Sequence, residues 1–205
     1  MKHIVIHLSK DPVLAGIVKR VGPFAMAYRD PTFEALVRSI VSQQLSTTVA
    51  RVIFGRLEKA LRGREMTPEN VLRLRVTTMR KVGLSGQKTE YIRSLARHAM
   101  DGSLPFESLG EMDDEAVIAR LIQVKGVGVW TAHMFLMFGL RRPDILAVGD
   151  LGVRQAIQRA YALEKMPTPA EVEQIAENWH PHCSAACWYL WRSLENGDKF
   201  EAALE

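Results

Sequence analysis

Only two cysteines, Cys183 and Cys187, occur in 205 residues. That count excludes a disulfide framework, and with it a four-cysteine zinc or iron–sulfur site. No apolar run approaches the ~20 residues needed to cross a bilayer. The opening stretch Met1-Lys2-His3-Ile4-Val5-Ile6-His7 is too short and too interrupted for a signal peptide. An intracellular protein with no membrane association is expected. Internal repeats, low-complexity tracts and charge runs are also lacking. What is present is ordinary for a globular chain, with 47% hydrophobic and 24% charged residues. The length suits one domain, or two lobes sharing a core.

The net charge of +4 hides an asymmetry. Residues 38–97 carry 13 Lys/Arg against 4 Asp/Glu, whereas residues 98–205 carry 9 against 16. Arginine dominates the basic set, 18 to 9, and its planar fork pairs with phosphate in bidentate fashion. Two readings stand: a solvated charged face, or a surface for a polyanion, above all nucleic acid.

Apolar periodicity predicts helices nearly throughout. Phe33, Leu36, Val37, Ile40 and Val41 share one helical face behind a Thr32 N-cap. Ser46 caps a second helix whose expected buried stripe is Val49, Val52, Ile53, Leu57 and Leu61, ending at Gly63. Thr67-Pro68-Glu69 opens another. Further helices are expected over 87–100, 113–122, 129–140, 150–161, 169–179 and 183–194. Only Ile4-Val5-Ile6 reads as a candidate strand, and one strand makes no sheet. The class is therefore all-α. Arg141-Arg142-Pro143-Asp144 is the best internal boundary.

Two segments carry candidate chemistry. In Leu121-Ile122-Gln123-Val124-Lys125-Gly126-Val127-Gly128-Val129-Trp130-Thr131-Ala132 a helix ends, two glycines turn the chain, and a new helix starts. Glycine lets backbone approach a ligand closely, and a helix start offers unpaired N–H groups. The segment is either a phosphate cradle or an ordinary αα-hairpin turn. Downstream, Val148-Gly149-Asp150 precedes an apolar-periodic helix. Asp150 is either a plain N-cap or a carboxylate held where positive charge develops. The positive end of a helix favours such an anion.

These blocks, in this order, resemble the helix-hairpin-helix DNA glycosylase superfamily, and within it the 3-methyladenine DNA glycosylase II type. Asp11-Pro12-Val13-Leu14 with Gly22-Pro23, Leu36 to Ser46, Gly83-Leu84-Ser85-Gly86-Gln87-Lys88 and Trp179-His180-Pro181-His182-Cys183-Ser184 resemble other blocks of that family. The resemblance covers roughly 11–195. His182 and Cys183 stand where the family usually has Tyr and Arg. Larger members also have an N-terminal β-rich domain, for which this chain has no room.

The resemblance implies two helical lobes, one about 33–140 with the hairpin at 121–132, the other about 1–32 plus 141–205. It places the active site in the cleft between them. The implied activity is base excision repair. An alkylated base, such as 3-methyladenine or 7-methylguanine, is flipped out of double-stranded DNA. Its N-glycosidic bond is then hydrolysed to leave an abasic site. Asp150 is the implied catalytic residue. Trp130, Met134 and Trp179 are implied for the base pocket, and Gln43, Gln44, Leu84, Lys125, Gly126 and Gly128 for DNA contact. Leu84 is either a wedge or a helix-capping contact. Superfamily members with lyase activity carry a lysine where Trp130 stands, so no lyase activity is expected. No cofactor is implied, save a structural Na+ or K+ at the carbonyls of Ile122, Val124 and Gly126. His180, His182, Cys183 and Cys187 match no common zinc spacing, and no catalytic metal is expected. A monomer in the bacterial nucleoid, or in a eukaryotic nucleus, follows from the same resemblance. The alternatives are a non-catalytic helix-hairpin-helix DNA-binding protein and an all-α protein-interaction module.

Overall fold

The computed structural model describes residues 2–194. Every regular element among them is helical: α1 (Lys2–Leu8), α2 (Pro12–Val21), α3 (Phe33–Ser42), α4 (Thr47–Ala60), α5 (Pro68–Arg73), α6 (Val76–Lys81), α7 (Gly86–Met100), α8 (Asp114–Leu121), α9 (Val129–Met134), α10 (Leu151–Ala160), α11 (Pro169–Ala176) and α12 (Cys183–Leu194). No described helix is long and apolar enough to cross a membrane.

The chain divides into two compact units. Unit A is 29–140. Unit B is 2–28 together with 141–194; residue 1 and residues 195–205, assigned to the second lobe from the sequence, lie outside the described residues. Unit A begins at residue 29 rather than 33. Arg29 N–H donates to the Phe138 carbonyl at 2.9 Å, and Pro31 packs on Gly139, which holds 29–32 to this unit.

Unit A is built around α3 and α7. The buried face of α3 is Leu36, Val37, Ile40 and Val41, the stripe its periodicity predicts. Thr32 Oγ1 accepts from Ala35 N–H at 3.2 Å, and Ser46, Thr67 and Ser85 cap α4, α5 and α7 in the same way. Each such cap is worth ~1 kcal/mol. On α4 the stripe differs from expectation. Ala50, Phe54, Leu57 and Leu61 are buried, whereas Val49 and Val52 are 44% and 47% exposed. Exposed Arg51 and Arg56 stand on the same helix. Helix α9 runs into a single π-helical turn, Phe135–Gly139, whose five residues are all buried.

Unit B packs α12 against α2 and α10. Trp179, Tyr189 and Leu190 are fully buried in it. Ile4-Val5-Ile6 lies inside α1, so the candidate strand is a helix.

Candidate nucleic-acid interface and candidate active site

In unit A, three loops named by the sequence are cross-bonded. Helix α3 ends at Ser42, and the chain turns through Gln43 and Gln44 to the Ser46 cap. Lys88 Nζ donates to the carbonyls of Val41 and Gln43 at 2.6 and 2.5 Å. An ammonium on the last carbonyls of a helix satisfies groups the helix leaves open and sits at the negative end of its dipole. Burial pushes the Lys88 amine below its ordinary value. Gln43 in turn donates from Nε2 to the Gly126 carbonyl at 2.9 Å. One chain of bonds thus runs from the start of α7, through the 43–46 turn, to the hairpin.

Gln44 is exposed and adopts φ +58°. A non-glycine residue in this left-handed region costs of order 1 kcal/mol, retained where surroundings enforce it. Lys88 and Gln43 are those surroundings. Leu45 beside it is also partly exposed.

The hairpin joins α8 to α9. Val127 N–H donates to the Val124 carbonyl at 3.0 Å. Gly126 has φ +82°, and a Cβ there would lie 2.0 Å from the Tyr91 ring, so only glycine fits. Gly128 is extended, with open space around it, and N-caps α9 without a side chain. The amides that open α9 therefore face no capping oxygen, the arrangement that suits an anion. Lys125 Nζ pairs with Glu90 at 2.7 Å on the surface. Trp130, in the first turn of α9, is 50% exposed, and Met134 follows one turn later, partly buried.

Leu84 corrects one expectation. It is only 2% exposed, and its carbonyl accepts from Arg80 Nη1 at 2.8 Å. It directly precedes the Ser85 cap, the place of a hydrophobic staple. Its side chain belongs to the core and is no wedge. Gln44 and Leu45, by contrast, are exposed on their turn.

In unit B, Asp150 caps α10 and is 9% exposed. Oδ1 accepts from Val153 N–H at 2.7 Å and from Trp191 Nε1 at 2.7 Å. Two donors on one oxygen fix the carboxylate plane. A Cβ on Gly152 would lie 3.0–3.2 Å from Trp191 and Asp150, so glycine leaves room for that indole. Trp191 and Gly152 were not singled out by sequence reasoning. No local signal marks a bond spanning 41 residues, although the helical face of α12 that carries Trp188 and Trp191 was visible. Cys187 is no rival nucleophile: burial pushes its thiol up to about 12.

Trp179 corrects a second expectation. It is fully buried, and its Nε1 donates to Asp11 Oδ2 at 3.0 Å. Tyr161 donates to the same oxygen, and Asp11 Oδ1 takes the N–H groups of Val13 and Leu14. Burial alone would raise the Asp11 carboxyl, but these bonds outweigh it and hold the carboxyl below its ordinary value. Trp179 is thus a structural partner of Asp11, with no face left for a base.

Comparison with known proteins places these features in context. A family model described as the HhH-GPD superfamily of base excision DNA repair proteins matches residues 37–182. DNA-3-methyladenine glycosylase 1 of Schizosaccharomyces pombe is 34% identical over 200 residues, spanning 94% of this chain and 87% of that protein. The solved structure of a 3-methyladenine DNA glycosylase from the same yeast, in complex with abasic DNA, superposes with a TM-score of 0.82 at 34% identity. It covers 97% of this chain and 99% of that one. A DNA-3-methyladenine glycosidase from Bacillus halodurans gives 0.84 at 34% identity, over 93% and 88%.

Proposed function

Since the chain belongs to the HhH-GPD superfamily of base excision DNA repair proteins, we propose that it is a DNA-3-methyladenine glycosylase of the monofunctional, type II kind. The observation that carries this reading is Asp150, buried at the start of α10 and oriented by two donors. Relatives named as 3-methyladenine glycosylases support the substrate class.

In the proposed reaction, duplex phosphates dock on the amides around Gly126 and Gly128 and on Lys125. Gln44, with Leu45, enters the space vacated by the flipped nucleotide. Gln43 holds that turn to the hairpin. The damaged base stacks on Trp130, with Met134 beside it. A purine nucleotide alkylated at N3 or N7 is cationic, and an indole face attracts cations by ~0.5–2 kcal/mol. As the N-glycosidic bond breaks, positive charge builds on the sugar, and the Asp150 carboxylate stabilises it and orients water. A cationic base leaves without acid help. The products are free base and an abasic site.

Trp130 has no amine, so no Schiff base forms there. No cofactor enters this scheme. A structural Na+ or K+ at Ile122, Val124 and Gly126 is compatible with it. Val124 and Gly126 carbonyls each accept one bond and keep a second lone pair. The protein would act as a monomer on chromosomal DNA, in a nucleoid or nucleus.

The test is a panel of duplexes with single lesions, incubated with protein and then treated with or without alkali. Cationic lesions should be released fastest, strands should stay intact until alkali, and borohydride should trap no protein–DNA adduct. Efficient trapping of the wild-type protein would overturn the monofunctional reading and make Lys125 the leading nucleophile. Salt-sensitive DNA binding with no base release would instead favour a non-catalytic DNA-binding protein.

A further inference from the structure

Unit B gathers three chemically different side chains at one point. Asp144 lies in the loop before α10, His180 follows the 3-10 turn Glu177–Trp179, and Cys183 opens α12. His180 Nδ1 is 2.8 Å from Asp144 Oδ2 and 3.5 Å from Cys183 Sγ. The three atoms all lie within 4.8 Å of one another.

A nucleophilic relay does not explain this geometry. Such a relay uses both ring nitrogens, one toward the thiol and one toward the carboxylate. Here both partners meet the same nitrogen. Cys183 is moreover fully buried, and burial, followed by the hydrogen bond and charge of Asp144, pushes its thiol well up. Three lone-pair donors converging on one point suit a cation better.

We propose that Asp144, His180 and Cys183 bind a borderline-soft divalent cation of the zinc class, with solvent as fourth ligand. A tetrahedral ion at ~2.3 Å from sulfur and ~2.0–2.2 Å from nitrogen and oxygen separates its ligand atoms by about 3.3–3.6 Å. The sulfur–nitrogen distance already matches. The oxygen–nitrogen distance must open by about half an ångström, within reach of a carboxylate rotation. Thiolate and carboxylate together balance the ion's two charges. A mixed sulfur, nitrogen and oxygen set disfavours Mg2+ and Ca2+.

The frame that carries these ligands is already tied. Ser184 Oγ donates to the Arg142 carbonyl at 2.7 Å and accepts from Ile145 N–H at 3.0 Å, while Ser184 N–H donates to the Pro143 carbonyl at 3.0 Å. Cys183 N–H donates to Asp144 Oδ1 at 3.2 Å. Exposed His180 gives an ion a path from solvent. The same patch is rich in imidazole. His182 makes a tilted ring contact with His3 and an edge-on one with His7, with centroids 5.6 and 5.2 Å apart, and its buried Nδ1 has no hydrogen-bond partner among the described residues. Four of the chain's six histidines thus lie here. The ion would clamp the start of α12, which carries Trp191, to the loop that leads into Asp150. It takes no part in glycosidic cleavage, so the inference stands apart from the proposed activity.

The test uses the untagged full chain, stripped with a chelator and then freed of it. One equivalent of Co2+ should give a sulfur-to-cobalt charge-transfer band and tetrahedral visible bands, which Zn2+ abolishes. Zn2+ should also raise Tm by mass action. Cys183→Ser should lose the charge-transfer band, while Cys187→Ser keeps it. Asp144→Asn and His180→Ala should each weaken Co2+ binding by more than the about 10–100-fold typical of a lost outer-shell partner. His180 is exposed, so its variant carries the test if Cys183→Ser fails to fold. No band at one equivalent, a band that survives Cys183→Ser, or unchanged Co2+ affinity in His180→Ala would overturn the proposal.

Discussion

Asp150 joins an observed structural role to the chemical one proposed for it. As an N-cap it satisfies Val153 N–H, and as a buried carboxylate it receives the Trp191 indole on the same oxygen. Gly152 makes this possible by leaving the indole its space. Gly152→Ala should therefore displace Trp191 and slow base release with little loss of DNA affinity, read from single-turnover excision beside a binding titration. Equal losses in both would show that the indole only packs. Gln44 offers a cleaner separation. Gln44→Gly removes both a side chain and an unfavourable φ of +58°, so stability should hold or rise by up to ~1 kcal/mol while base flipping falls. Unchanged excision would take Gln44 out of the flipping step. The N-cap place of Asp150 was legible from the apolar period that follows it, whereas Gln44 was named by the family resemblance alone. Trp191 was not, since its partner is distant in sequence. The same holds for Asp144, whose contacts with His180 and Cys183 span 36 and 39 residues. Trp179 misled because a motif position says nothing about which face of a ring is free.

Most helices with a capping side chain were readable at their starts, although α2, capped by Asp11, was not read as a helix at all. Thr32, Ser46 and Thr67 accept the expected backbone bond, and Asp113 and Thr168, not read as caps, do the same. Six-residue α6 was missed because it is too short to display a period. α1 misread as a strand because Ile4-Val5-Ile6 is β-branched, and tertiary packing around buried Leu8 overrides that preference. On α4 Leu57 and Leu61 are buried as expected, but the valines widened the stripe onto the exposed face, while buried Ala50 and Phe54 were left out of it. The hairpin glycines now separate by role. Gly126→Ala should destabilise unit A by about 2 kcal/mol or more, because both φ and the Tyr91 ring forbid a methyl group. Gly128→Ala meets open space and should leave stability nearly unchanged while weakening DNA binding at the α9 amides. Denaturant midpoints and binding curves for the two variants check this; matching effects on both quantities would refute the separation.

The chain as a whole is a basic stretch followed by an acidic one, and its binding should follow that charge. Affinity for undamaged duplex should fall with salt on a log–log slope of about −0.9 per phosphate contacted. A flat response would point to the protein-interaction module. Asp11 should be one of the groups through which acid acts. Its folded carboxyl lies below the ordinary value, so its contribution is complete above about pH 3.9 and is lost as pH falls through the folded value. Asp11→Asn should flatten the stability profile in that acid window and nowhere else. In the proposed reaction the Asp150 carboxylate drives hydrolytic loss of an alkylated base. The most direct measurement is single-turnover release of 7-methylguanine from a defined duplex by wild type and Asp150→Asn, with DNA affinity measured alongside. Asparagine keeps a helix cap and removes the charge. Folding and binding should stay intact while release slows by ~10²-fold or more; release near the wild-type rate would remove Asp150 from the reaction.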